Sequence, residues 1–179
     1  GGVEVAALRL MESLEGEQFR NTAFHVRGAE SVARAFGAAG FETVGHDQVE
    51  PSYLHPRAFF QNSLRLAREF RQRGVNLVHC QDLLAAHYTA LAGRLAGAPV
   101  LCHVRSQHRD ISRRDAGFLR AVNHFVFVSH NAQESFGLKV GPTRGTVIYD
   151  GFDFVEADAA AARRDVFREF GIPAQTRVV

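Results

Sequence analysis

Tryptophan is missing from this sequence, methionine occurs once, and lysine occurs once, as Lys139. There are two cysteines, Cys80 and Cys102, without CxxC spacing. That number excludes a disulfide framework, and their place in apolar, strand-like runs reads as reduced, buried thiols. No apolar run approaches the roughly 18–20 residues that cross a bilayer, and no signal peptide opens the chain. The nine histidines are scattered, with no HExxH and no paired Cys/His spacing, so no metal is expected. A GxSxG elbow and a Walker GKS/T are also lacking. With 21 Lys+Arg against 19 Asp+Glu the net charge is +2, which carries no electrostatic footprint of a nucleic-acid binder.

What is present is ordinary globular composition, 46% hydrophobic and 22% charged over 179 residues. That length suits one domain, or one domain plus the beginning of another. No initiator methionine precedes Gly1, which reads as a start inside a longer protein.

Short β-rich runs alternate with helical periodicity. Val3 to Leu14 predicts a helix with Val3, Ala6, Ala7, Leu10, Met11 and Leu14 on one face. Thr22 to Val26 predicts a strand, Glu30 to Ala39 a helix capped by Gly40, and Glu42 to Gly45 a strand. After a loop with Pro51 and Pro56, Arg57 to Arg73 predicts a long helix, with Arg65, Arg68, Arg71 and Arg73 on its wet face. The rhythm continues with a strand at Asn76 to Cys80 and a helix at Asp82 to Ala96, N-capped by Asp82. A strand at Val100 to Val104 and a helix at Ala116 to Val122 come next. They are followed by a strand at His124 to Ser129, a helix at Asn131 to Leu138 and a strand at Gly145 to Tyr149. Continuously apolar strands are buried on both faces, so the fold class is α/β, a doubly wound, Rossmann-like parallel sheet. A phosphate-binding glycine turn normally follows the first strand of such a sheet. Here the turn, Gly1-Gly2, stands without a strand before it, and a sheet lacking its first strand is expected. Ala157 to Phe170 predicts a further helix, broken by Gly171-Ile172-Pro173, and Arg177 to Val179 reads as a strand beginning.

Two groups of residues are candidates for chemistry. Gly1 and Gly2 would let a phosphate approach the backbone at a helix N-terminus, although any tight turn uses glycine. Ligands in open α/β sheets bind at the C-terminal strand ends. The polar residues there are His79 and Gln81, then Arg105, Ser106 and His108, then Ser129 and His130, then Tyr149 and Asp150. Ser129 is better suited to N-cap the next helix. Arg105, Arg109, Arg113 and Arg114 make one loop strongly basic, fit for a phosphate or an anionic surface, or simply solvated beside Asp110 and Asp115. His103 lies inside its strand and is expected to point into the core.

The order of these segments resembles the N-terminal half of the family 4 retaining glycosyltransferases, which have the GT-B fold. GGVE at Gly1 to Glu4 is similar to that family's donor loop. Asn76 to Arg105 (NLVHCQDLLAAHYTALAGRLAGAPVLCHVR) resembles its strand ending in H-x-H, the helix after it and the next strand. FVFVSHNAQESF at Phe125 to Phe136 and VIYDGFD at Val147 to Asp153 resemble its later strand–helix and its hinge. Gln81 replaces the second histidine of H-x-H. Arg105 stands where many members carry histidine, and Asp150 replaces the hinge asparagine.

The resemblance implies a hexosyl-type, retaining transferase that moves a sugar from a nucleotide-sugar to a carbohydrate or lipid-linked acceptor. It implies no cofactor beyond that donor substrate. It implies a diphosphate loop at Gly1 and Gly2 and an acceptor cleft formed by His79, Gln81, Arg105, His108, Ser129, Tyr149 and Asp150. It divides the chain into an acceptor-side domain, 1–153, and a linker helix opening a donor-binding domain, 154–179. The family's Glu-x7-Glu donor motif does not occur, so these residues alone are expected to be inactive. A cytoplasmic protein is implied, with peripheral contact at the inner membrane face. Another GT-B enzyme such as a sugar-nucleotide 2-epimerase, or a non-catalytic nucleotide- or phosphate-binding module, remains open as an alternative.

Overall fold

The computed structural model describes residues 2–16, 18–52, 54–151 and 158–177. Gly1, the 153/154 division and Val178 and Val179 of the strand expected at Arg177 to Val179 therefore lie outside the described residues. Helices and strands alternate along the chain. The first part runs α1 (Gly2–Leu14), β1 (Thr22–Val26), α2 (Glu30–Ala38), β2 (Glu42–His46) and α3 (Pro56–Gln72). The second runs β3 (Val78–Cys80), α4 (Leu83–Ala96), β4 (Val100–Val104), α5 (Arg113–Leu119), β5 (His124–Phe127), α6 (His130–Glu134) and β6 (Gly145–Val147). A last helix, α7 (Ala159–Glu169), carries its own ties: Arg163 lies over the Phe167 ring and donates to the Thr176 carbonyl.

All strand pairings are parallel, but they form two sheets, β1–β2 and β3–β4–β5–β6. The α/β class is as expected. β1 and β3 face a common cavity of about 730 Å³ instead of each other. The two sheets are joined chiefly through α3. Phe24 of β1 meets Phe70 of α3 edge-on at 4.9 Å, Asn62 donates to the Asp47 carbonyl, and Arg73 pairs with Glu42 of β2.

The main core explains why these segments fold as they do. The buried face of α3, with Leu66, Ala67 and Phe70, meets the small residues Ala86, Ala90 and Ala92 of α4. Small side chains permit close helix approach and keep the packing dense. Beneath them lie Val78, Val100, Cys102 and Val104, and Phe125, Phe127 and Phe136 form an aromatic cluster on the far side. Both cysteines are free and buried there; burial pushes the Cys80 thiol up to about 12 and raises that of Cys102. A smaller cluster of Ala7, Phe36 and Phe41 holds α1 and α2 on the two-stranded sheet.

Local signals act at the helix ends. Asp82 caps α4, its carboxylate accepting from the Ala85 amide at 2.6 Å. Gly40 takes φ +89° to end α2, a left-handed conformation that glycine adopts without Cβ strain. Several boundaries differ from expectation. α5 starts at Arg113 because Ser112 caps it by accepting from the Asp115 amide. β3 begins only at Val78, whose amide donates to the Pro99 carbonyl, and Leu77 before it is 46% exposed beside the cavity. α6 stops at Glu134 and β6 at Val147, both short of the sequence pattern. Arg71 and Arg73 are not merely solvated, since they clamp the Leu95 carbonyl and Glu42.

Two substitutions in α4 separate cap from packing. Asp82→Ala should destabilise by about 1 kcal/mol, the usual value of a lost N-cap. Gly93→Ala would gain helix propensity, but its Cβ would stand 2.5 Å from Val100 Cγ2 and 3.2 Å from Val78 Cγ2. The valines are stiff at χ1, so overpacking wins, with a net loss of about 1–2 kcal/mol. Chemical denaturation of both variants checks the order; a stabilised Gly93→Ala would refute the packing argument.

Candidate functional site

Strand period and register build one polar cluster. His79 pairs in register with Leu101, so the Gln81 position falls opposite His103. Successive side chains alternate between faces of a strand. His79, Gln81, His103 and Arg105 therefore share a face, at the C-terminal ends of β3 and β4. The Arg105 guanidinium binds this group together. Nη1 donates to Asp150 Oδ2 at 2.6 Å, and Nη2 reaches Gln81 Oε1 at 3.4 Å and His103 Nδ1 at 3.3 Å. Gln81 Nε2 lies 3.3 Å from His79 Nδ1, and the two imidazoles stack at 5.7 Å.

The electrostatics set the protonation states. The Arg105 side chain is only 11% exposed and its charge is balanced by Asp150. Burial, with His103 and Arg105 adding repulsion, holds His79 down to about 4. Burial first, then Arg105, also lowers His103, against the opposing pull of Asp150. Both rings are therefore neutral near pH 7. Arginine can only donate, so His103 Nδ1 accepts and its proton sits on Nε2. Because Gln81 Oε1 accepts from Arg105, its amide nitrogen donates to His79 Nδ1, which places that ring's proton on Nε2 as well. The Nε2 atoms of both histidines and Nε of Arg105 are buried without a hydrogen-bond partner among the described residues. Buried donors in this state ask for oxygen acceptors. The cluster thus carries buried N–H groups beside a balanced charge pair.

Of the residues singled out in the sequence, His79, Gln81, Arg105 and Asp150 come together. The others do not join them by any described contact. His108 pairs with Ser106 at 3.0 Å, and its carbonyl accepts from the Gly137 amide at 2.7 Å. Ser129 caps α6 through the Ala132 amide, and Tyr149, 65% exposed, stands edge-on to His130. In the basic loop, Arg114 pairs with Asp115. Gly2 is the first residue of α1, so its place at a helix N-terminus is as expected. His103, expected to point into the core, is indeed buried, and it also joins the cluster. The parity of His103 with Arg105, two residues on, was the signal that could have found it. Among the described residues, no three His, Cys, Asp or Glu side chains converge in a way that could hold a metal ion. No helix among them is long and apolar enough to cross a membrane.

Comparison with known proteins follows the same lines. No curated protein sequence matches the chain significantly. Among solved structures it is similar to HepE of Anabaena in complex with UDP and glucose. There the TM-score is 0.66 at 15% identity, over 96% of this chain and 47% of that one. HepE in complex with UDP gives 0.62 at 16% identity. MurG of Acinetobacter baumannii gives 0.61 at 19% identity, over 88% of this chain and 44% of that one. The chain spans about half the length of each, and at these identities the likeness shows the fold, that of the N-terminal half of a GT-B protein. The model of the family described as Glycosyltransferase Family 4 matches residues 1–156. With most of its length covered by that match, the chain belongs to glycosyltransferase family 4.

Proposed function

We propose that residues 1–179 form the acceptor side of a two-domain sugar transferase, which moves a hexosyl group from a nucleotide-sugar to a carbohydrate or lipid-linked acceptor with retention of configuration. The observation that carries this reading is the His79–Gln81–His103–Arg105–Asp150 cluster at the C-terminal strand ends of a family 4 fold. Strand C-termini are where open α/β sheets bind ligands. Sugars are neutral and rich in hydroxyl oxygens, and two neutral imidazole N–H groups suit them better than a free charge would. HepE in complex with UDP and glucose is consistent with a nucleotide-sugar donor.

In this reading Gly1 and Gly2 receive the donor diphosphate, Gly2 being the first residue of α1 and so at a helix N-terminus, and no further cofactor is required. The acceptor hydroxyl oxygen bonds to the anomeric carbon as the bond from that carbon to the diphosphate oxygen breaks. The hydroxyl proton leaves with the released nucleotide phosphate or to solvent. Positioning and stabilisation of the leaving diphosphate supply the rate, so both domains must close on the substrates. Residues 1–153 act as the acceptor-side domain and 154–179 as the link to the donor side. The surroundings are cytoplasmic, with peripheral contact at the membrane face.

The test is transfer from labelled nucleotide-sugars by a two-domain protein containing these residues, with product anomer read by NMR. Retained configuration is expected. Inverted product, hydrolysis or epimerisation alone, or turnover by residues 1–179 by themselves, would refute the reading. In the same protein Arg105→Ala should lower kcat/KM roughly ten- to hundredfold, the scale of a lost charge-assisted hydrogen bond. Arg105→Lys should recover only part, because it loses the planar fork that reaches Asp150, Gln81 and His103 together.

The neutral histidines also make stability depend on pH. His79 titrates lower in the folded chain than its unfolded value of about 6.5, so the unfolded state takes up the proton first. Its contribution is full above about pH 6.5 and is lost as the pH falls toward about 4. Allowing for partial solvent screening, the loss is about 2 kcal/mol. Thermal melts of wild type and His79→Asn between pH 7 and 4 check this. The variant should show a shallower acid slope, which His46, His87 and His103, shifted the same way, keep from vanishing. Equal slopes would remove His79 from the cluster's electrostatics.

A further inference from the structure

The chain leaving α6 lies directly on the loop that leaves β4. The Gly137 amide donates to the His108 carbonyl at 2.7 Å. A Cβ on Gly137 would stand 2.3 Å from the Arg109 carbonyl oxygen, 3.0 Å from the Arg109 carbonyl carbon and 3.2 Å from the His108 carbonyl oxygen. All three are backbone atoms, so no side chain can swing aside to make room. Gly137 is not among the glycines of positive φ, so the close approach, not a left-handed conformation, excludes a side chain there. Both sides of the contact are anchored. Phe136, the residue before, is buried and meets Phe125 and Phe127 at 5.3 and 5.2 Å. Across the contact, Ile111 packs on the main core and Ser112 caps α5. At the head of the same loop stands Arg105, whose guanidinium holds Gln81, His103 and Asp150. A disturbed contact is therefore relieved by moving the stretch between Arg105 and Asp110.

We propose that Gly137 is a positioning residue of the polar cluster. By admitting the β4–α5 loop into contact with the turn after α6, it sets where Arg105 stands and how its fork meets Gln81, His103 and Asp150. Gly137 touches none of these side chains and acts only through the loop backbone. A glycine buries no side chain of its own, so what the contact supplies is the loop's position. The planar guanidinium is sensitive to that position, because its donors are fixed in one fork and must reach three partners at once. The effect on the cluster is independent of the transferase reading; only its consequence for an acceptor rests on that reading.

The test compares Gly137→Ala with Gly141→Ala in the two-domain protein. Gly141 also lacks a positive φ, and a Cβ there meets nothing within 4 Å. Ring-nitrogen NMR of labelled histidine gives the first readout. In wild type and Gly141→Ala, His103 Nδ1 should show the shift of a hydrogen-bonded acceptor. In folded Gly137→Ala that signature should be lost. The second readout is kinetic: Gly137→Ala should raise the acceptor KM about tenfold or more, with donor KM unchanged. Retained His103 signals overturn the proposal whatever the Tm, since the glycine would then serve packing alone. Loss of the signature with an unchanged acceptor KM upholds the positioning and counts against the cluster as an acceptor site. Should Gly137→Ala fail to fold, the coupling is read in reverse, because linkage is reciprocal. Arg105→Ala should then speed exchange of the Gly137 amide about tenfold. An unchanged exchange rate overturns the proposal. If wild type itself transfers no sugar, the transferase reading falls, and the His103 signals still decide on Gly137.

Discussion

The register between β3 and β4, with Val78 opposite Val100, is the constraint on which the rest of the molecule turns. It places His79, Gln81, His103 and Arg105 on one face, and a slip of one residue would reverse that set. The same pairing sets Val78 and Val100 side by side beneath Gly93, so α4 can lie on these strands only with no side chain there. α4 in turn carries the small-residue surface against which α3 packs, and α3 holds the two-stranded sheet to the four-stranded one through Phe70 and Arg73. A short ladder of three pairs therefore governs both the site and the attachment of the N-terminal third.

That ladder also explains why the site can be so polar in so buried a place. An isolated guanidinium at 11% exposure would be costly. Asp150, arriving from the segment after β6, balances it, and Gln81 and His103 occupy further donors. The charge and burial then keep both histidines neutral and fix their tautomers. The polar groups are not independent choices: replacing Arg105 would leave Asp150 unpaired and release the tautomer of His103. A buried network of this kind is stable only while it is satisfied as a whole.

Much of this was legible in the sequence because the relevant forces are local. Apolar strand runs such as VLCHV and TAFHV marked β4 and β1 to the residue, and Asp82 was readable as a cap because a carboxylate before a helical run satisfies free amides. His79, Gln81, Arg105 and Asp150 were found by counting strand ends. What escaped depended on partners remote in sequence. His103 was rightly read as a buried strand residue, but its place in the cluster depends on Arg105, Gln81 and His79 on the same face. The Ser112-x-x-Asp115 cap was overlooked within an arginine-rich loop, so α5 was placed three residues late. The late start of β3 could not be read from Asn76 and Leu77, since it reflects the open edge beside them.

The open edge and the polar cluster are not separate features. His79 and Gln81, two of the cluster's members, also line one end of the cavity between the sheets. They sit at the end of β3, which is held laterally on the β4 side alone. Arg105, just past the end of β4, ties the end of β3 to the segment after β6 by donating to both Gln81 and Asp150. The geometry of the site thus depends on two restraints of different kinds, a ladder on one side of β3 and an ionic cross-link above it.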